Sequence, residues 1–269
     1  MARGKLIVFE GTDASGKNTQ TKLLFERLIH EGVKCARDTF PRYNTSTGKI
    51  IGGPFLGKPE ICQSYFDKAS EVDPKVASAF YVADRRYNLQ FINETLESGN
   101  HLILDRYVES NMGHQGGKIR DPNKRTEFYK WLEKLEYEMF ELPRPDLTIF
   151  LYMPFEKGIE LKSKMNVAKD EVEKDPDYLK NSEEAYLQLA ELYNWKKINC
   201  VTDNKIKLPE NIHQEVYQNI IDILNKNKSL ESKVNSDQED LCKSCPKHYI
   251  SCPIEPTNKT ISCVEYSKK

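Results

Sequence analysis

Leu6-Ile7-Val8-Phe9-Glu10-Gly11-Thr12-Asp13-Ala14-Ser15-Gly16-Lys17-Asn18-Thr19 is the stretch from which the rest of the chain can be read. Its opening apolar run reads as a strand buried on both faces, as the inner strands of a parallel sheet are. Gly11 and Gly16 then bracket a short turn, Lys17 follows, and helical periodicity begins. This is the G-x-x-x-x-G-K spacing of a phosphate-binding loop, set between a strand and a helix as the motif requires. The glycines let backbone N–H groups curl around an anion. The helix N-terminus adds its positive dipole end, and Lys17 brings a point charge to the β- and γ-phosphates. One position departs from the pattern: Asn18 stands where a Ser or Thr hydroxyl normally meets Mg²⁺. An amide carbonyl is a competent hard-oxygen ligand, but it is longer and reaches differently. A glycine turn that binds nothing is the bland alternative, and it leaves the strand, spacing, lysine and helix together unexplained.

Working outward, five short runs, most of them rich in β-branched or aromatic residues, read as strands: Leu6–Phe9, Lys34–Phe40, His101–Asp105, Asp146–Tyr152 and Lys197–Val201. Helical pattern lies between them. Gly16–His30 carries Leu23, Leu24, Phe25 and Leu28, with Gly32 where a stop belongs. Asp73-Pro74 caps a long helix expected to run to Leu96 and to stop at Gly99, and Asp121-Pro122 caps another through Phe140. Asp175-Pro176 opens a helix to Tyr193. Pro209 opens a last one, with Ile212, Val216, Ile220 and Leu224 as its buried stripe. Strands alternating with helices imply an α/β fold: a three-layer, doubly wound, parallel five-stranded sheet.

Two further clusters gain meaning beside a phosphate loop. Asp105-Arg106-Tyr107 follows the third strand, where a carboxylate can hold Mg²⁺ and an arginine can fork onto a phosphate. Alone, the tripeptide would read as a surface ion pair. Phe40-Pro41-Arg42 ends the second strand, and Tyr81 and Arg85 share the long helix with Arg86. These would supply arginines and stacking rings to a second phosphorylated substrate; alone they are core aromatics and solvated cations.

Composition limits the rest. Forty Lys+Arg against 41 Asp+Glu give a net charge of −1, which offers no general nucleic-acid-binding face. No run approaches the roughly 18 apolar residues of a membrane span, so a soluble, cytoplasmic chain is expected. The main body is expected over 1–226, a polar linker over 227–240 and a small Cys-rich tail over 241–269. Of seven cysteines, Cys35, Cys62 and Cys200 are scattered through the body, whereas Cys242, Cys245, Cys252 and Cys263 crowd into the tail. Cys242-Lys243-Ser244-Cys245 has the spacing with which two thiolates grip one tetrahedral Zn²⁺, although Cys252 and Cys263 lie too far apart for a regular ribbon and His248 could replace one of them. A tail too short to build its own core would then be folded by structural zinc. Free thiols on a disordered segment, or disulfides formed on oxidation, are the alternatives.

Taken together, Gly11-Thr12-Asp13…Gly16-Lys17-Asn18-Thr19-Gln20, Phe40-Pro41-Arg42, Tyr81-Val82-Ala83-Asp84-Arg85, Asp105-Arg106-Tyr107 and Leu142-Pro143-Arg144-Pro145-Asp146-Leu147 resemble the thymidylate kinases, in the family's order and over about 1–225. The resemblance implies a P-loop nucleoside-monophosphate kinase that moves the γ-phosphoryl group of ATP to dTMP, with Mg²⁺ as cofactor and a homodimer as assembly. It implies ATP binding by Gly11 through Thr19, with Lys17, Arg106 and Asp13 catalytic. Asp13 would accept from the substrate's 3′-hydroxyl and orient Arg42; Arg42 and Arg106 would bind the dTMP phosphate; Tyr81 would stack on thymine and Arg85 bond its carbonyl; Phe40 would line the same site, and Asp105 would sit near Mg²⁺. The family places an extra phosphate-binding cation in the loop or in a mobile lid. Ala14 and Ser15 carry no charge, so the resemblance points to a lid over about 157–174, with Lys162, Lys164, Lys169 and Lys174 as candidates. A kinase of another deoxynucleoside monophosphate, or a nucleotide-binding regulator with low turnover, are the rival readings, since Tyr81 and Asn18 both depart from the family's habit.

Overall fold

A computed structural model describes residues 2–165 and 175–224 of the chain. Met1–Tyr217 form one compact unit; of a second, Gln218–Lys269, only 218–224 are described, as the end of the last helix. The expected linker, the Cys-rich tail with Cys242, Cys245, Cys252 and Cys263, and Lys169 and Lys174 all lie outside the described residues.

The sheet has five parallel strands in the order β2-β3-β1-β4-β5: β1 Leu6–Gly11, β2 Cys35–Thr39, β3 His101–Asp105, β4 Leu147–Tyr152 and β5 Lys196–Asn199. All six residues of β1 are buried, which is why its sequence is continuously apolar rather than alternating. Leu6 and Val8 join Leu102 and Leu104 of β3 in one cluster, with Ile92 and Leu96 of α4 (Leu89–Glu97) packed on them. The alternate residues Ile7, Phe9 and Ile103 are equally buried and face the other side, where α1 (Lys17–His30) packs. Leu24 and Leu28 form the inner stripe of α1. Gly32, at φ +75°, ends that helix with Val33 N–H bonded back to Leu28 O, a closure that favours glycine.

Between β2 and β3 lie α2 (Ser46–Ile50), a wider helical turn over Ile51–Phe55, α3 (Pro74–Tyr87) and α4. Asp73 caps α3 by accepting from Lys75 N and Val76 N, as its sequence implies. The single helix expected to Leu96 is instead two, broken at Asn88. The Asn88 amide donates to Asp84 O and Asp84 Oδ1, and its carbonyl oxygen accepts from Arg42, so the side chain competes with the helical ladder. α5 (Val108–Gly116) and α6 (Pro122–Glu133) follow β3. The helix expected through Phe140 reaches that point, but over Lys134–Met139 it widens to π geometry, in the segment that delivers Glu136 to the interior. α7 (Phe155–Met165) follows β4. α8 (Pro176–Leu192) precedes β5, and a small hairpin of β6 (Val201–Thr202) and β7 (Lys205–Ile206) turns at Asp203 and Asn204, both at positive φ. The last helix, α9, spans 209–224, and Ile212, Val216, Ile220 and Leu224 are buried.

Candidate active site

The phosphate loop leaves β1 at its C-terminal end, between β3 and β4, where ligands of doubly wound sheets bind. Gly11 is obligatory here: a Cβ would lie 2.5 Å from Leu151 O. Ala14 and Gly16 take positive φ to turn the chain into α1. Thr12 anchors the loop to the end of β4, its hydroxyl donating to Met153 O and accepting from Met153 N. Lys17 Nζ lies inside the loop, donating to Gly11 O and Thr12 O at 3.0 Å each. Burial and the Arg106 charge push its ammonium down to about 8, while Asp105, Asp13 and Glu10 resist. Among the described residues no carboxylate is hydrogen-bonded to it.

Asp13 joins the loop to both predicted cation sources. Its carboxylate accepts from Lys162 Nζ at 3.1 Å and lies 3.5 Å from Arg106 Nη2. Burial opposes its ionisation, but Lys162 and Arg106 outweigh that and hold the carboxyl well below its ordinary range. Of the described lid candidates, Lys162 faces the loop, whereas Lys164 pairs with Glu160 on the exposed side of α7. Arg106 takes φ +69°, a strained conformation for a residue with a Cβ, at the turn from β3 into α5. Its backbone N–H is fixed to Phe9 O. Asp105, next to it, is largely buried; its carboxylate accepts no hydrogen bond among the described residues and sits in the field of Lys17.

Beside the loop opens a cavity of about 640 Å³, counted to its open mouth. Asp13 and Arg106 line it, together with Phe40, Tyr81 and Arg85, so five residues singled out in the sequence converge there. Arg85 is almost wholly buried. It forks onto Glu136, donating from Nε at 2.6 Å and Nη2 at 2.5 Å, while Nη1 donates to Tyr107 O. That leaves one N–H on each terminal nitrogen. Asn111 Oδ1 and Gln115 Oε1 are buried with no hydrogen-bond partner among the described residues, and both residues line the cavity.

Arg42 is placed differently from expectation. Its guanidinium donates to Asn88 Oδ1 at 2.8 Å, lies 2.9 Å from Asp38 Oδ2 and rests over Phe91; no contact with Asp13 orients it. Its backbone N–H is held by Asp84, which also accepts from Thr47. Asn18 is likewise engaged elsewhere: its side-chain oxygen accepts from the Arg37 guanidinium, whose Nε donates to Thr21. Among the described residues no three His, Cys, Asp or Glu gather as a protein-only metal site would need. Mg²⁺ asks for less, one or two carboxylates with the remainder from phosphates and water, and Asp105 alone fits that chemistry.

Sequence reasoning missed three groups. Glu10 is fully buried, accepting from Tyr107 N, Ser110 Oγ and Tyr186 OH, with burial raising its carboxyl. Glu136 holds Arg85, and His114 meets Arg106. A glutamate at the end of an apolar run hints at burial, but nothing near Glu136 or His114 in the chain announces their partners.

A phosphate loop on a parallel sheet, an arginine beside the loop and an aromatic cavity next to it define a P-loop kinase acting on a phosphorylated acceptor. The thymidylate kinase family model matches residues 9–216, and the chain belongs to that family. It is 33% identical over 224 residues to a thymidylate kinase of Prochlorococcus marinus, covering 80% of this chain and 96% of that one. It is 32% identical over 216 residues to a probable thymidylate kinase of Methanocaldococcus jannaschii, covering 80% and 95%. Thymidylate kinase from Candida albicans shares the fold, with a TM-score of 0.63 at 23% identity over 85% of this chain and 94% of that chain. No described helix is long and apolar enough to cross a membrane.

Proposed function

We infer that this chain transfers the γ-phosphoryl group of ATP to dTMP, giving dTDP and ADP. The observation that carries the reading is the convergence of Arg106, Asp13 and Lys162 at the mouth of a cavity whose lining holds Tyr81 and Arg85. The phosphate loop and Lys17 hold the β- and γ-phosphates of the donor. Arg106 holds the acceptor phosphate in line, and Lys162 brings a lid charge to the transferring group. Asp13 keeps the two cations apart and fixed, so little reorganisation is needed as charge spreads over the phosphoryl oxygens. An acceptor phosphate is already ionised, so no general base is required.

In the cavity, Tyr81 is the stacking surface, and the spare N–H groups of Arg85 suit a base carbonyl. The unpaired oxygens of Asn111 and Gln115 suit base or sugar donors. Asp105 would hold Mg²⁺, which when bound supplies neutralisation of the triphosphate charge. For Arg42 the reading requires the side chain to leave Asp38 and Asn88 when dTMP enters. A cytoplasmic homodimer and a Cys242-Cys245-Cys252-Cys263 zinc site stay with this reading, resting on family habit and on the Cys242/Cys245 spacing.

A coupled assay of ADP release with ATP and each deoxynucleoside monophosphate tests the reading. Turnover with dTMP above the others is the expected result; turnover with none of them defeats it.

A further inference from the structure

His114 lies on α5, half-buried between two cavities: the one lined by Tyr81 and Arg85, and a second of about 420 Å³ lined by Thr12, Asp13 and Lys162. Four contacts fix the ring. It stacks on Tyr178 with planes 7° apart and meets the Tyr186 ring edge-on, both from α8. The preceding residue explains the close approach: a Cβ at Gly113 would lie 2.5 Å from the Tyr186 ring. Arg106 Nη1 is 2.9 Å from His114 Nε2, and Ser182 Oγ is 3.3 Å from Nδ1.

The direction of these bonds follows from chemistry. A guanidinium has no lone pair to offer and does not deprotonate, so Arg106 donates and Nε2 must be the bare nitrogen. The ring is then neutral, with its proton on Nδ1 and directed at Ser182. Its surroundings agree: desolvation and the Arg106 charge hold the imidazole down to about 3, with Lys17 and Lys162 adding to this and Asp13 opposing it.

Arg106 otherwise stands among carboxylates, with Asp13, Asp105 and Glu10 all in its field. A guanidinium drawn fully onto any of these would present a spent charge to an incoming phosphate. A neutral acceptor fixes the fork without cancelling it. We propose that His114 is a positioning residue for the phosphoryl acceptor: its neutral imidazole holds Arg106 Nη1 in place and leaves the arginine's charge available to the acceptor's phosphate. The inference rests on the reading of Arg106 as the acceptor-phosphate arginine. The same bonds connect Arg106 to α8 through Ser182, while Asp13 connects it to α7 through Lys162, so both helices meet at one arginine.

Two substitutions separate this role from mere packing. His114→Phe keeps a ring for Tyr178 and Tyr186 but offers Arg106 no acceptor; His114→Gln offers an oxygen but no ring. The expected result is that His114→Phe loses about 10²-fold in kcat/KM for dTMP, the cost of a misplaced contact group. The KM for ATP should move by less than about threefold, because the phosphate loop is untouched. His114→Gln should stay within about tenfold of the parent in kcat/KM, as a retained hydrogen bond allows. The reverse order, with Phe active and Gln impaired, would show that packing is the whole role and overturn the proposal. His114→Glu adds the charge test: it can accept from Arg106 but cancels it, so it should resemble Phe, and activity equal to Gln would overturn the need for neutrality. Nitrogen-15 NMR of the imidazole in the unmutated protein gives a readout free of folding effects. A neutral Nδ1–H ring from pH 5 to 8 is expected, and an imidazolium in that range would refute the arrangement. If the unmutated protein binds ATP yet never phosphorylates dTMP in the same assay, the acceptor reading itself fails and the proposal falls with it.

Discussion

The two halves of the site are built by different means. On the proposed phosphoryl-donor side the groups are consecutive: Gly11 to Lys17 offer backbone N–H groups, a helix end and one ammonium, all within one short stretch of chain. On the proposed acceptor side Phe40, the pair Tyr81 and Arg85 on α3, and Arg106 come from three separate segments, and each arginine meets a residue far away in sequence, Glu136 for Arg85 and Asp13 for Arg106, with His114, eight residues on, as a second partner of Arg106. A phosphate can be held by backbone geometry, which a local sequence encodes. A particular second substrate is held by buried side chains, whose aim depends on long-range partners. The donor half should therefore fail through loss of one charge, the acceptor half through loss of orientation.

Lys17→Ala and Arg106→Ala test that division most severely. Lys17→Ala should abolish measurable turnover, a loss of at least about 10²–10³-fold by comparison with removal of one oriented transition-state donor. The chain should remain folded, since the lysine contributes charge to the loop rather than apolar packing. Arg106→Ala should lower kcat/KM for dTMP by a similar factor while ATP affinity, measured by calorimetry, changes much less. Equal loss of ATP binding in both variants would erase the distinction between the halves.

How much of this was legible in the sequence follows the same line. The inner strands β1, β3 and β4 and the loop between β1 and α1 are legible because apolar runs and the Gly-x-x-x-x-Gly-Lys spacing are local signals, whereas the edge strands β2 and β5 are largely polar and are placed by the alternation with helices. The break at Asn88 was not read, because Asn is tolerated inside helices and only its bonds to Asp84 and Arg42 make it a terminator. The π turn at Lys134–Met139 escaped for a similar reason: helical periodicity does not show which turn will widen where a glutamate is carried toward a buried arginine. A phosphate-binding role for Arg42 is what the family resemblance implies. The arginine's contacts with Asp38, Asn88 and Phe91 lie in three-dimensional neighbours that no spacing reveals.

Glu109 sharpens the comparison on the stability side. It is buried on α5; its Oε1 accepts from Tyr137 OH at 2.8 Å, and Oε2 has no partner among the described residues. Burial, reinforced by Glu10, pushes its carboxyl from 4.5 up to about 8. In that window the folded chain keeps a proton that the unfolded chain has shed, so this group lowers stability as pH rises through it. Glu109→Gln mimics the protonated form and should melt above the parent at pH 8 and level with it near pH 4.5. Each kcal/mol recovered is worth about 2–4 °C. Scanning calorimetry at the two pH values decides it, and an offset independent of pH would mean that charge is not the cause.

The smallest effect is expected at Asn18, where the donor half departs from its own pattern. If the amide oxygen were a metal ligand, Asn18→Ala would raise the Mg²⁺ concentration needed for half-maximal rate. The structure engages that oxygen with the Arg37 guanidinium, and a cation already bound to an oxygen repels a second one there. Asp105 brings a carboxylate to the neighbouring strand end and accepts no side-chain hydrogen bond among the described residues, so it is the better ligand by both donor type and availability. Asn18→Ala should therefore leave the Mg²⁺ dependence of the rate within about twofold of the parent, and Asp105→Asn should shift it by tenfold or roughly more, as loss of an anionic oxygen ligand implies. A magnesium titration in which Asn18→Ala shifts more than Asp105→Asn would return the metal to the loop and place Arg37 as its competitor.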